Sequence, residues 1–175
     1  MDAWYRWRGI RVFIRTSYFY QVRFMGAHTS WVPVSICKWD PKWYTGLRYP
    51  PLVPRSYEPS LDCESCAKVH AEDPTYYNME CRYLRAYRKQ LEVYSVERTL
   101  DDILLRADKR LHLDGIAHEA EGGSLEVTLV LLGFEVPAKL CSERFVVAEW
   151  MNKWAGNREF CTELEYPILP PGASI

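Results

Sequence analysis

The 175-residue chain lacks any run of eighteen uninterrupted apolar residues, and its opening, MDAWYRWRGIRVFIRTSYFYQVRF, is broken by Arg every few positions. Neither a membrane span nor a secretory leader fits that pattern, so no membrane partner is expected and the expected location is the cytoplasm, a host cytoplasm if the chain is phage-encoded. Internal repeats and low-complexity tracts are also missing, which leaves an ordinary globular chain. Net charge is almost absent, at −1. The chain has six cysteines, three of them in a Cys-rich insertion over residues 57–81. In a reducing compartment these read as core residues, metal ligands or a reactive thiol sooner than as three disulfides.

What is present is 48% apolar content, enough for one domain with a single substantial core. The balanced charge hides an asymmetry. Residues 1–60 hold nine Lys or Arg against three Asp or Glu, whereas residues 111–175 hold four against ten. Two explanations stay open: a basic surface for phosphate-bearing ligands, or two halves that attract each other.

Three β runs are legible. GIRVFIRT (9–16) alternates, SWVPVSI (30–36) is short and β-rich, and SLEVTLVLLGF (124–134) is apolar enough to be a central buried strand. Three helices are equally legible. Leu84, Tyr87, Leu91 and Tyr94 form one apolar stripe, and Leu100, Ile103, Leu104, Ala107 and Leu111 form another, with Thr99 as candidate N-cap ahead of Asp101 and Asp102. The third carries Val147, Trp150, Met151 and Trp154 between a Ser142 cap and a Gly156 stop. Alternating strands and helices predict a single three-layer α/β domain over 1–175 with a mostly parallel sheet, closed by FCTELEY (160–166) as an edge strand.

Ligands of such sheets sit beyond the carboxyl ends of the strands. The segments expected there are TSYFYQVR (16–23), CKWDPKWYTGLR (37–48) and GFEVPAKLCSER (133–144). They supply candidate ligand-binding residues Thr16, Ser17, Tyr18, Asp40, Lys42, Trp43, Tyr44, Arg48, Ser142 and Arg144. Rings that stack a base, beside cations that hold phosphate, suit a nucleotide or nucleic acid. The alternative is that the rings only cover the sheet edge. Cys141 and Glu135 are the catalytic candidates: a thiol just ahead of a helix and near Arg144 is favoured as thiolate, although no His lies beside it in sequence, and an inert buried thiol is the alternative.

In residues 57–81, CESCAKVHAEDPTYYNMEC places Cys63 and Cys66 in a C-x2-C knuckle, with His70 and Cys81 following. Four N/S ligands in that span match structural zinc, with free thiols or a disulfide as the other readings. The insertion is expected as part of the same domain.

Several of these stretches together, TSYFYQVRF, VPVSICKWDPKWYTGLRY, CRYLRAYRKQL and VTLVLLGFEVPAKLCSERFVVAEWM, resemble the family called domain of unknown function 488, in versions common in phage and bacterial genomes. The resemblance implies a compact α/β domain. Its signatures fall on Thr16, Ser17, Tyr18 and Phe19, on Pro41, Lys42 and Trp43, and on Val147, Ala148, Glu149 and Trp150. The turn before the last helix departs from the family: its Arg falls on Arg144, but its Cys-His pair falls on Ser142 and Glu143, with Cys141 one place earlier. The expected function is binding, with or without processing, of a nucleotide or other phosphate-bearing ligand. The other expectation is a phage-type binding protein that sequesters a host nucleotide signal or blocks a host protein.

Overall fold

The computed structural model describes residues 3–55, 82–133 and 142–164. Chain order among these is β1 (Tyr5–Trp7), β2 (Ile10–Tyr18), α1 (Phe19–Met25), β3 (Trp31–Ser35), β4 (Leu47–Arg48) and a 3-10 turn (Pro50–Leu52). After these come α2 (Arg82–Leu91), α3 (Val96–Leu111), α4 (Leu113–Ile116), β5 (His118–Glu119), β6 (Leu125–Gly133), α5 (Glu143–Ala155) and β7 (Cys161–Glu163).

The seven strands make one mixed, mostly parallel sheet with the path β1-β2-β6-β3-β4. β6 is the axis. It pairs in parallel with β2 along its whole length and with β3 through Thr128 to Leu132, and β5 pairs with it antiparallel at its start. On the far side of β2, antiparallel β1 takes the first residues and parallel β7 takes Ile14 to Thr16. The β1–β2 hairpin turns through Arg8 at φ 46° and Gly9 at φ 85°, the left-handed pair that a two-residue turn between twisted strands requires.

Strand alternation sends Ile10, Val12, Ile14, Val32, Val34, Val127, Leu129 and Leu131 to one face. There they meet Leu84, Tyr87 and Leu91 of α2, Leu100, Ile103, Leu104 and Ala107 of α3, and Val147 and Met151 of α5. The other face is covered differently. Among the described residues only one short helix, α1, packs there, its Phe19 and Met25 against Val130 and Leu132 of β6. Beyond its reach an open concavity of about 330 Å³ is lined by Phe13, His28, Trp31, His118, Glu126 and Thr128, among others.

Two expectations need correction. TSYFYQVR is not a loop: β2 runs on to Tyr18 and α1 begins at Phe19 with no break, because Phe19, Val22 and Met25 repeat at three-residue steps onto one face. α3 starts one turn earlier than Thr99. Val96 extends its buried stripe, so Ser95 is the N-cap, accepting the Arg98 amide, and Thr99 lies buried inside the helix.

Candidate functional site

Because β2, β6, β3 and β4 run parallel, their carboxyl ends share one edge, and the register aligns Ser17, Leu132, Ser35 and Arg48 in a single row. Two constructions meet at this edge.

The first is closed. Arg144, in the first turn of α5, is fully buried, with Nε 3.0 Å from Glu163 Oε1 and Nη1 donating to Ser142 Oγ at 2.9 Å. Glu163 reaches it from β7 and also accepts from Thr16 Oγ1 at 2.6 Å. The guanidinium lies 4.3 Å from the Phe145 ring centre and 5.6 Å from that of Tyr18. Gly133 makes room: a Cβ there would stand 2.6 Å from Ser142 Oγ and 3.2 Å from Arg144 Cδ. A buried cation costs several kcal/mol unless paired and hydrogen-bonded, and this network supplies both conditions. Beside Glu163, burial pushes the Cys161 thiol up to about 12, partly opposed by Arg15.

Next to it, Cys37 follows β3 and is buried, with its thiol donating to Glu143 Oε1 at 3.0 Å and lying 3.4 Å from Leu132 O. Tyr83 OH is 3.5 Å from Glu143 Oε2. Here Cys37 serves as a hydrogen-bond donor to a carboxylate.

The second construction is open. The chain from Cys37 to Arg48 has no regular structure up to β4, yet its backbone is pinned from several sides. Arg48 Nη2 donates to the carbonyls of Cys37 and Lys38 at 2.9 and 2.6 Å, and Arg110 from α3 donates to those of Thr45 and Gly46. Ser35 Oγ donates to Asp40, which also faces Arg48 at 3.7 Å. Tyr44 is tucked against Phe19, its hydroxyl 3.0 Å from Pro33 O, and burial, with Asp40 nearby, holds the phenol well above its ordinary range. On this frame Trp39 and Trp43 stay 56% and 57% exposed, with Lys38 Nζ 4.9 Å over the Trp39 ring and Lys42 exposed alongside.

The expected residues therefore divide. Thr16, Ser17, Tyr18, Ser142 and Arg144 are buried at the edge, Asp40 and Tyr44 are half-buried, and Lys42, Trp43 and Arg48 face solvent. Cys141, Glu135, Cys63, Cys66, His70 and Cys81 lie outside the described residues. Among the described residues, no group of three or more His, Cys, Asp or Glu is placed to hold a metal ion, and no helix is long and apolar enough to cross a membrane. Sequence reasoning missed Cys37, Glu143 and Glu163. The position of Cys37 directly after a β run was a usable signal, whereas Glu163 is tied to Arg144 only through the tertiary fold. Comparison of the chain with protein-family models, with curated proteins and with solved structures found no match.

Proposed function

We propose that the protein binds a nucleotide or another phosphate-bearing, nucleic-acid-related ligand at the carboxyl edge of the sheet. The observation that carries this reading is the pair Trp39 and Trp43, more than half exposed on a pinned loop, beside Lys38, Lys42 and Arg48. Exposed indole faces offer stacking surface to a base, and the cations offer charge to its phosphate. The buried Arg144 network acts as the support beneath the strand ends. In this reading, phosphate is met by the solvent-facing cations.

Binding without turnover is the favoured form, because the Cys37–Glu143 pair is buried beneath the strand ends, away from the exposed rings. A phage-type protein that sequesters a host nucleotide signal or blocks a host protein fits this form. Tryptophan fluorescence titration with adenosine and guanosine mono- and diphosphates tests it. Trp43→Ala is expected to weaken binding by about 1–3 kcal/mol with the salt dependence unchanged, and Lys42→Ala to weaken it while flattening that dependence. Equal effects of both variants at every ionic strength would sink the assignment.

Zinc held by Cys63, Cys66, His70 and Cys81 is a separate proposal, supported by their spacing. Metal analysis of protein purified without chelators should find one equivalent, lost in Cys63→Ser. Metal-free fresh protein would end it.

A further inference from the structure

Four aromatic rings are exposed by more than a third: Tyr20 at 46%, Phe24 at 38%, and the two tryptophans Trp39 and Trp43. No other aromatic side chain among the described residues is so exposed, and all four belong to α1 or to the loop after β3. Contiguous exposed rings on one surface mark an interaction site more often than scattered ones do.

The way α1 is held explains its share. Phe19 and Met25 are buried on the sheet and Val22 packs beside them, which leaves Tyr20, Arg23 and Phe24 on the outer side at the i, i+3, i+4 spacing. The Arg23 guanidinium lies 3.6 Å from the Tyr20 ring centre and 4.7 Å from that of Phe24, and the two rings are 6.1 Å apart. Phe19, on the buried side of α1, meets the Trp43 ring edge-on at 6.1 Å, so the loop packs against the same helix. Rings and cations thus alternate across both elements. From residue 16 to residue 49 the cations are Arg23, Lys38, Lys42 and Arg48, and the only acid is Asp40, already engaged by Ser35 and Arg48.

We propose that this surface is a path for single-stranded nucleic acid, with bases on Tyr20, Phe24, Trp39 and Trp43 and phosphates over Arg23, Lys38 and Lys42. The inference rests on the nucleotide reading above and extends it from one nucleotide to several linked ones. Four rings offer more stacking face than one base covers, and two of them sit on the outer side of a helix. A single strand is required because a duplex keeps its base faces stacked on each other, out of reach of side chains. The local excess of cations supplies charge complementarity to the phosphates.

The test is fluorescence anisotropy with end-labelled single strands of fifteen thymidines and of fifteen uridines. A duplex of the same length, thymidine 5′-monophosphate and phosphatidylserine vesicles serve as competitors. The single strands are expected to bind at least tenfold more tightly than the duplex or the mononucleotide. Tyr20→Ala and Phe24→Ala should each weaken strand binding by about 5- to 150-fold, leave the mononucleotide unaffected and leave the thermal melt unchanged. Arg23→Gln should lower the slope of log affinity against log salt by about 0.7.

Strand binding no tighter than the mononucleotide, or indifferent to Tyr20 and Phe24, overturns the extension while the nucleotide reading stands on Trp43. Vesicles or duplex that displace the strand through the same residues overturn it in favour of a membrane surface or a general polyanion site. Absence of binding by strands and mononucleotides alike removes both.

Discussion

Within a few residues of one sheet edge, this protein treats its cations in two opposite ways. Arg144 is sealed from solvent and neutralised by Glu163, its Nε given to Glu163 and its Nη1 to Ser142. Lys38, Lys42 and Arg23 stay solvent-exposed, Lys38 over the Trp39 ring and Arg23 over that of Tyr20, and those rings are themselves exposed. The closed side shows what a cation needs in order to be structural: a carboxylate delivered by another element, a hydroxyl, and a glycine that clears the space. The open side has a pinned backbone instead, with Trp39 and Trp43 more than half exposed on it. Rigidity of the main chain together with exposure of the rings is what a preformed stacking surface requires.

The comparison breaks most sharply at Glu163. Glu163→Ala should cost about 3–5 kcal/mol in urea unfolding, because it strands a buried guanidinium, and the double variant with Arg144→Met should recover much of that loss. On the open side, Trp43→Ala, which is expected to cost binding, should leave stability within about 0.5 kcal/mol. Equal destabilisation by the two single changes would erase the distinction.

A smaller effect is expected at Gly133. Gly133→Ala places a methyl against Ser142 and Arg144, and overpacking of this kind costs about 1–3 kcal/mol. The added Ser142→Ala change removes the nearest clash and should return part of it.

The smallest effect sharpens the comparison through pH. The Cys161 thiol is held at about 12 in the folded protein, against about 8.5 in an unfolded chain. Its contribution is therefore complete below about pH 8.5 and declines as pH rises toward 12, since only the unfolded state ionises in that window. Unfolding free energy measured from pH 8 to 9.5 should fall by about 1 kcal/mol, and Cys161→Ala should flatten that fall whatever it does to stability at neutral pH.

The sheet and its main helices were legible because their signals are local. SLEVTLVLLGF is apolar at consecutive positions and is the axis strand, buried on both faces from Leu129 to Gly133. Leu84, Tyr87 and Leu91 fall on α2 as their spacing predicts, whereas Tyr94, expected on the same stripe, lies in the turn beyond its end, and Gly156 ends α5 in a left-handed conformation. The helix α1 was not legible. At seven residues its Phe19, Val22, Met25 stripe is under two turns long, and its Tyr and Phe content reads as strand. The β1–β2 hairpin was signalled only by Arg8 and Gly9. At the site, sequence alone identified the loop and its rings, whereas the division into buried and exposed cations depends on β7 reaching Thr16, a contact that no local pattern encodes.

One further consequence follows from the central ladder. Ile10 faces Leu125 and Tyr18 faces Gly133, so β2 and β6 are joined across roughly 115 residues of intervening chain. Contacts this distant set a slow folding rate, because the loop between them must close before the pairing is rewarded. The opposite charges of the two chain halves act on that search. Arg11 of the basic half pairs with Glu126 of the acidic half inside the ladder itself, so this ion pair joins the two distant strands once they are in register. The expected outcome is a refolding rate that falls modestly as salt is raised, read by stopped-flow fluorescence, with Glu126→Gln flattening that dependence.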